Sequence, residues 1–113
     1  HSVIYLTATE FFKCFENSDF RRNLDNSIDV NYFLECDLLI IDDLGTESSN
    51  SYTNSKLFYV INERLLRNKS VIISSNFTIS QIEDFYSERI FSRIISSYTI
   101  LRLFGTDITN QDA

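Results

Sequence analysis

An aliphatic run that ends in two acids most constrains the fold of this chain. Residues 38–41 are Leu-Leu-Ile-Ile, and Asp42, Asp43, Leu44 and Gly45 follow them directly. A short continuous aliphatic run is typical of a strand that is buried on both faces of a parallel sheet. Such a strand delivers its last residues to the carboxyl edge of the sheet, where open α/β proteins bind their ligands.

Asp42 and Asp43 predict a cation-binding function at that edge. Two adjacent carboxylates are costly to bring together unless a positive charge meets them, and a metal ion is the usual partner. This is the chemistry of a Walker B motif, in which Asp42 holds the Mg²⁺ of a nucleotide and Asp43 polarises an attacking water. The alternative is a strand that ends in a solvated acidic turn.

Composition narrows the possible functions. A length of 113 residues allows one domain with a core. The net charge of −6 argues against a protein that coats nucleic acid with its whole surface, although a local basic groove is compatible with it. No apolar run approaches membrane-spanning length, and Cys14 and Cys36 show neither metal-ligand spacing nor a paired framework. We expect a cytoplasmic protein with reduced thiols and no membrane partner.

The chain contains only two glycines, Gly45 and Gly105, and no methionine. A Gly-x-x-x-x-Gly-Lys-Ser/Thr loop, the Walker A loop that supplies most contacts to nucleotide phosphates, is therefore absent from this sequence. We expect the sequence to be truncated at its amino end. We also expect these 113 residues alone neither to bind nor to hydrolyse ATP appreciably.

Strand-like and helix-like segments alternate along the chain, which predicts a three-layer α/β fold with a parallel sheet. Strands are predicted over residues 2–7, 38–41, 71–74 and 99–104, with the first three adjacent in that order. Helices are predicted over residues 9–16, 30–35, 54–68, 78–86 and 87–96, and loops over residues 17–28 and 47–53. Two overlapping capping-box patterns, Thr-Ile-Ser-Gln from residue 78 and Ser-Gln-Ile-Glu from residue 80, predict that a helix starts in this segment.

Several blocks resemble, in order and spacing, the AAA+ ATPases of the DnaC/DnaI helicase-loader type and their IstB-like relatives. They cover residues 38–47, 61–64, 71–76, 88–94 and 104–108. The resemblance implies that residues 1–113 are a partial AAA+ nucleotide-binding domain of the P-loop NTPase class. That domain would carry Walker B, box VII and the last strand but not the Walker A loop.

The same resemblance assigns roles to individual residues. Asp42 becomes the metal ligand and a nucleotide contact, and Asp43 becomes the catalytic acid. Asn76 matches sensor 1, whose amide contacts the γ-phosphate or the attacking water. Arg93 matches the arginine finger, and Arg89, four residues earlier on the same helix face, becomes a second nucleotide contact.

Each of the last three assignments has a simpler alternative. Asn76 could be an ordinary turn residue before a helix. Arg89 and Arg93 could form a solvated helix face with Glu88 and Asp84.

A third set of residues suggests contact with single-stranded DNA. Lys13, Arg21 and Arg22 alternate with Phe11, Phe12, Phe15 and Phe20. Proteins that bind single-stranded nucleic acid use cations to contact the phosphates and aromatic rings to stack on the bases. The alternative is that Phe11, Phe12 and Phe15, which are at helical spacing, belong to the core.

The resemblance implies an ATP-dependent loader of a replicative helicase that acts in the primosome during DNA replication. ATP and Mg²⁺ would be its cofactors. Its partners would be the replicative helicase, single-stranded DNA and further copies of itself, joined through the arginine finger. The alternatives are an IstB-like transposition helper and a non-catalytic oligomerisation module.

Overall fold

The computed structural model describes residues 1–20, 30–45 and 50–101. In those ranges three strands alternate with five helices. The strands are β1 (Val3–Thr7), β2 (Leu38–Leu44) and β3 (Ser70–Ser75), and the helices are α1 (Ala8–Phe20), α2 (Asn31–Glu35), α3 (Ser51–Leu66), α4 (Ile79–Phe85) and α5 (Glu88–Ser97). None of these helices combines the length and the apolar character needed to cross a membrane.

The strands form one parallel sheet in the order β1-β2-β3. Val3 lies opposite Leu38, and Leu38 lies opposite Ser70. Parallel neighbours need a crossover connection, and the helices between successive strands provide it. The predicted α/β class and the predicted order of the first three strands are confirmed.

Several predicted boundaries were wrong. β2 continues through Leu44, so both acids belong to the strand rather than to a following turn. α1 runs to Phe20, into the predicted loop over residues 17–28, of which residues 21–28 lie outside the described ranges. α3 begins at Ser51 because a capping box starts it: the Asn50 side chain accepts from the Thr53 N–H at 2.9 Å, and the Thr53 hydroxyl accepts from the Asn50 N–H at 3.0 Å.

The capping box predicted at residue 78 is confirmed. The Thr78 hydroxyl accepts from the Gln81 N–H at 3.2 Å, and the Gln81 side chain accepts from the Thr78 N–H at 2.8 Å. The predicted last strand is not formed over residues 99–101. Tyr98 has extended dihedral angles, but no described strand lies beside the residues that follow it. Residues 102–104 lie outside the described ranges.

The core lies between the helices and one face of the sheet. Leu39 and Ile41 of β2 are fully buried there. Phe11 of α1 stacks on Phe33 of α2 with 5.2 Å between ring centroids. Phe12 and Phe15 are buried in the same cluster, which confirms the core alternative for the α1 phenylalanines.

The other face of the sheet is open in the described part of the chain. It carries Val3, Tyr5 and Ile72, which are 58%, 60% and 52% exposed. Parallel sheets normally bury both faces. The described helices therefore supply one of the two helical layers that the predicted three-layer fold contains.

A fully buried arginine joins three segments at the amino end of the sheet. Arg64 of α3 is 0% exposed. One terminal nitrogen donates to the Phe33 carbonyl at 2.8 Å and to the Cys36 Sγ at 3.3 Å, and the other donates to the Ser70 carbonyl at 2.7 Å. The guanidinium therefore fixes the end of α2 and the start of β3 to α3.

Asp37 forms a second link at the same end. Its Oδ2 accepts from the Ser2 N–H at 2.9 Å, and its own N–H donates to the Ser2 hydroxyl at 3.0 Å. The Lys69 ammonium lies 3.8 Å from Oδ1. The Ser2 hydrogen bond, aided by Lys69, holds the pKa of the Asp37 carboxyl below its ordinary value.

Asp37→Asn should remove a pH-dependent part of the stability. A carboxyl with a lowered pKa stabilises the fold above the pKa that it has in the unfolded chain, and this contribution is lost as pH falls through the lowered pKa. The wild type should therefore exceed Asp37→Asn in stability at pH 7, and the difference should vanish in acid. Urea denaturation at several pH values measures this, with exposed Asp84→Asn as the control. An equal difference at every pH would contradict the prediction.

Candidate functional site

Asp42 is held from both neighbouring strands at the carboxyl edge of the sheet. The Tyr5 hydroxyl of β1 donates to its Oδ2 at 2.5 Å, and the Ser74 hydroxyl of β3 donates to its Oδ1. The Ser74 bond and then the Tyr5 bond hold the pKa of the Asp42 carboxyl below its ordinary value. The hydrogen bond between Tyr5 and Asp42 also raises the pKa of the Tyr5 hydroxyl. Asp42 is therefore an ionised carboxylate whose position is fixed.

Sequence reasoning missed both partners of Asp42. Tyr5 lies opposite Ile40, which lies opposite Ile72, so these three side chains share the open face of the sheet. Asp42 and Ser74 follow two residues after Ile40 and Ile72 and therefore lie on that same face. Once the register was known, the alternation of side chains between the two faces of each strand would have placed Tyr5, Asp42 and Ser74 together.

Asp43 has an unusual backbone conformation. Its φ is 61°, in the left-handed region, and the β2–β3 register shifts between Ile41 and Leu44. The Ser74 hydroxyl accepts from the Asp43 N–H at 3.0 Å and supports the distortion. A bulge of this kind re-aims a side chain, and such strain concentrates at functional sites at a cost of about 1–3 kcal/mol.

The turn after β2 and the loop after β3 are packed together at this edge. Gly45 has a φ of 110°, and a Cβ atom there would lie 2.8 Å from the Phe77 ring. Phe77 follows Asn76, which is exposed and directly follows β3. Asn76 is thus placed at the same edge as the two acids, although no described contact joins it to either of them.

Asp42 and Asp43 fit a magnesium site in which the protein supplies some of the ligands and a nucleotide and water supply the others. Mg²⁺ is usually bound through one or two carboxylates, with water and substrate phosphates completing its octahedron. Asp42 is already ionised, and its carboxylate keeps lone-pair positions beyond the two that Tyr5 and Ser74 occupy. Within the described ranges no group of three or more His, Cys, Asp or Glu side chains could hold a metal alone. Most of the remaining ligands would have to come from a nucleotide and water.

The two predicted arginines lie together on α5, apart from the described contacts of the acids. The Cζ atom of Arg89 lies 4.2 Å from the centroid of the Phe58 ring, and that of Arg93 lies 6.0 Å from it. Both side chains are exposed. This exposure is what the alternative of a solvated helix face requires, and the described ion pairs join neither arginine to Glu88 or Asp84.

The predicted DNA-binding residues are only partly described. Lys13 is exposed on α1, whereas Arg21 and Arg22 lie outside the described ranges. Phe11, Phe12 and Phe15 are buried, so their rings cannot stack on bases. This corrects the expectation that they alternate with the cations on one DNA-binding surface.

Comparison with known proteins identifies the family. Residues 1–100 match the model of the bacterial DnaA ATPase domain. The chain is 30% identical over 82 residues to the chromosomal replication initiator protein DnaA of Aliarcobacter butzleri strain RM4018, which covers 73% of this chain and 18% of that protein. The chain therefore spans less than a fifth of this curated relative.

Solved structures share the fold. A replication initiator DnaA bound to AMPPCP and single-stranded DNA has a TM-score of 0.72 at 24% identity, over 86% of this chain and 30% of that one. The DnaC helicase loader has a TM-score of 0.70 at 18% identity, over 89% of this chain and 60% of that one. The AAA+ interpretation is confirmed, whereas these likenesses do not single out the DnaC type. The family match over residues 1–100 shows that this chain belongs to the bacterial DnaA ATPase domain family.

Proposed function

We propose that the full-length natural protein is an ATP- and Mg²⁺-dependent factor in the initiation of DNA replication, and specifically a loader of the replicative helicase. The observation that carries the proposal is the ionised Asp42, held by Tyr5 and Ser74 beside a strained Asp43. A decayed, non-catalytic module would have no use for this arrangement. Family membership supports the role in replication initiation, and the sequence blocks that resemble helicase loaders, together with the fold of DnaC, support the loading role.

Each site residue has a distinct task in this proposal. Asp42 holds Mg²⁺ together with phosphate oxygens and water, and the bound ion neutralises charge on the phosphates. Asp43 orients and polarises the attacking water. Asn76 donates its amide to the γ-phosphate or to that water. Arg93 extends from a neighbouring subunit to the same phosphates, with Arg89 as a second contact.

The partners follow from the same proposal. Head-to-tail copies of the protein would place Arg93 of one subunit at the acids of the next. Lys13, Arg21 and Arg22 would contact the backbone of single-stranded DNA, a ligand that a DnaA of the same fold holds in its solved structure. The replicative helicase is the proposed cargo, and the cytoplasm is the proposed location.

Asp43→Asn tests the catalytic proposal in the full-length protein. Loss of a group that polarises the attacking water should lower the rate of ATP hydrolysis by about 10²–10⁴-fold. The affinity for ATP should change little, because Asp43 acts on the water rather than on the nucleotide. Asp42→Asn should instead weaken the dependence of turnover on Mg²⁺. Asp84→Asn, on the exposed face of α4, is the control.

Unchanged hydrolysis in Asp43→Asn would remove Asp43 from the catalytic role, whereas an absence of hydrolysis by the wild type itself would favour the non-catalytic module. A helicase-transfer assay then separates the two ATPase alternatives. With ATP, the wild type should increase the deposition of the replicative helicase on single-stranded DNA. Stimulation of a transposase in place of the helicase would favour the IstB-like helper.

A further inference from the structure

We propose that Phe58 of α3 is a positioning residue that orients the two arginines of α5 for their task in a neighbouring subunit. The inference rests on the proposed function, in which Arg93 reaches the phosphates of ATP. Phe58 itself would touch neither nucleotide nor water.

The geometry around the ring supports this role. The guanidinium carbon of Arg89 lies 4.2 Å from the ring centroid, and that of Arg93 lies 6.0 Å from it. Cations within about 6 Å of a ring centroid are attracted by the negative charge of the ring face. Planar guanidinium groups also stack on aromatic rings, which fixes their orientation as well as their distance.

The Phe58 ring offsets the repulsion between the two arginines, which α5 places on one face. Like charges four residues apart on a helix repel each other and drive the two side chains apart. Within the described ranges neither arginine has a carboxylate partner to offset this repulsion. A single ring that attracts both guanidinium groups keeps them on one side of α5.

The ring is held firmly enough to act as a platform. Phe58 is half-buried and packs against the core, and its neighbours Leu57 and Ile61 on α3 are fully buried. The opposing helix is fixed by the fully buried Ile90, which follows Arg89 directly. Both partners of the contact therefore stand on elements anchored in the core.

Such a contact should act on the chemical step rather than on nucleotide binding. A finger that is already oriented loses less side-chain freedom when it reaches the transferred phosphate. Removing the platform should therefore lower kcat and leave the affinity for ATP unchanged.

The test compares variants of the full-length protein under assembling conditions. Phe58→Leu keeps an apolar side chain but removes the ring face, and it should lower kcat by about tenfold or less, in keeping with the modest strength of a cation–π contact. Phe58→Tyr keeps the ring and should remain near the wild type. Tyr59→Leu, the same type of change at the exposed neighbouring position on α3, should have no effect.

Mixing separates positioning from general damage. Subunits with Phe58→Leu retain intact acids, and subunits with Asp43→Asn retain intact fingers. A mixture should therefore exceed the summed rates of the two variants, because some sites combine the intact parts. A loss in Phe58→Leu that neither mixing nor Phe58→Tyr restores would overturn the inference.

Two further outcomes separate this inference from the proposed function. If Arg93→Ala lowers turnover while Phe58→Leu behaves like Tyr59→Leu, the Phe58 inference fails and the finger assignment stands. If Arg93→Ala itself has no effect, the proposed function fails. Should Phe58→Leu not fold, Phe58→Met takes its place, because it also keeps an apolar side chain of similar volume and removes the ring face. Its kcat should fall to the same extent, and an unchanged kcat would overturn the inference.

Discussion

Arg93→Ala should lower ATP hydrolysis by the assembled full-length protein by about 10³-fold or more, the range that an arginine finger supplies in related chemistry. The guanidinium would neutralise charge that develops on the transferred phosphate. ATP binding should be nearly unchanged, because that charge develops only in the transition state. Steady-state hydrolysis and equilibrium ATP binding measure the two quantities. Arg67→Ala, a half-exposed arginine that pairs with Glu63 at 3.6 Å, is the control.

The in-trans part of this prediction has its own test. Arg93→Ala and Asp43→Asn damage opposite sides of the same composite site. Mixtures should regain part of the activity, with a maximum at intermediate ratios. An absence of recovery at every ratio would remove the support for a finger that acts between subunits.

Arg64→Met should destabilise the fold by about 3–5 kcal/mol, a large share of the 5–15 kcal/mol that a domain usually has. Methionine can fill much of the space of the aliphatic stem. It leaves the buried carbonyl of Phe33 without this donor, at about 1–3 kcal/mol, and it also removes the donor to the partly buried carbonyl of Ser70. Urea denaturation measures the change.

Two further variants sharpen the Arg64 prediction. Arg64→Lys should recover little stability, because an ammonium cannot reproduce the fork that serves both carbonyls. Arg67 lies one helical turn after Arg64 and donates to neither of these two carbonyls. Arg67→Met should therefore change the stability by less than about 1 kcal/mol. Equal effects of Arg64→Met and Arg67→Met would show that the buried fork contributes nothing beyond a surface arginine.

The parts of the fold that were predictable depend on short-range patterns. The aliphatic run before Asp42 marked the central strand, and the spacing of Phe11 and Phe15 marked the inner face of α1. The extent of β2 was not predictable, because the bulge at Asp43 depends on the Ser74 hydroxyl of another strand. Arg64 was not predictable as a core residue either, because its burial depends on carbonyls of α2 and β3 that lie far from it in sequence.

The candidate site divides in the same way. The positions of Asp42 and Asn76 at one sheet edge followed from the ends of two strands. Tyr5 and Ser74 could be found only through the register between strands that are more than thirty residues apart. The contact of Phe58 with the two arginines was not predictable, because nothing in the sequence indicates how α3 crosses α5. The catalytic roles themselves stay predictions.

The open face of the sheet determines how the chain behaves in concentrated solution. Val3, Tyr5 and Ile72 present an apolar surface there, and the outer side of β3 has no partner strand in the described ranges. The net charge of −6 gives molecules a mutual repulsion that opposes contact between such surfaces. That repulsion is screened beyond about 8 Å at physiological ionic strength, whereas sulfate or phosphate salts strengthen apolar attraction. We therefore expect colloidal stability to be greatest in dilute, low-salt buffers, and salting-out conditions to favour contact between the open faces.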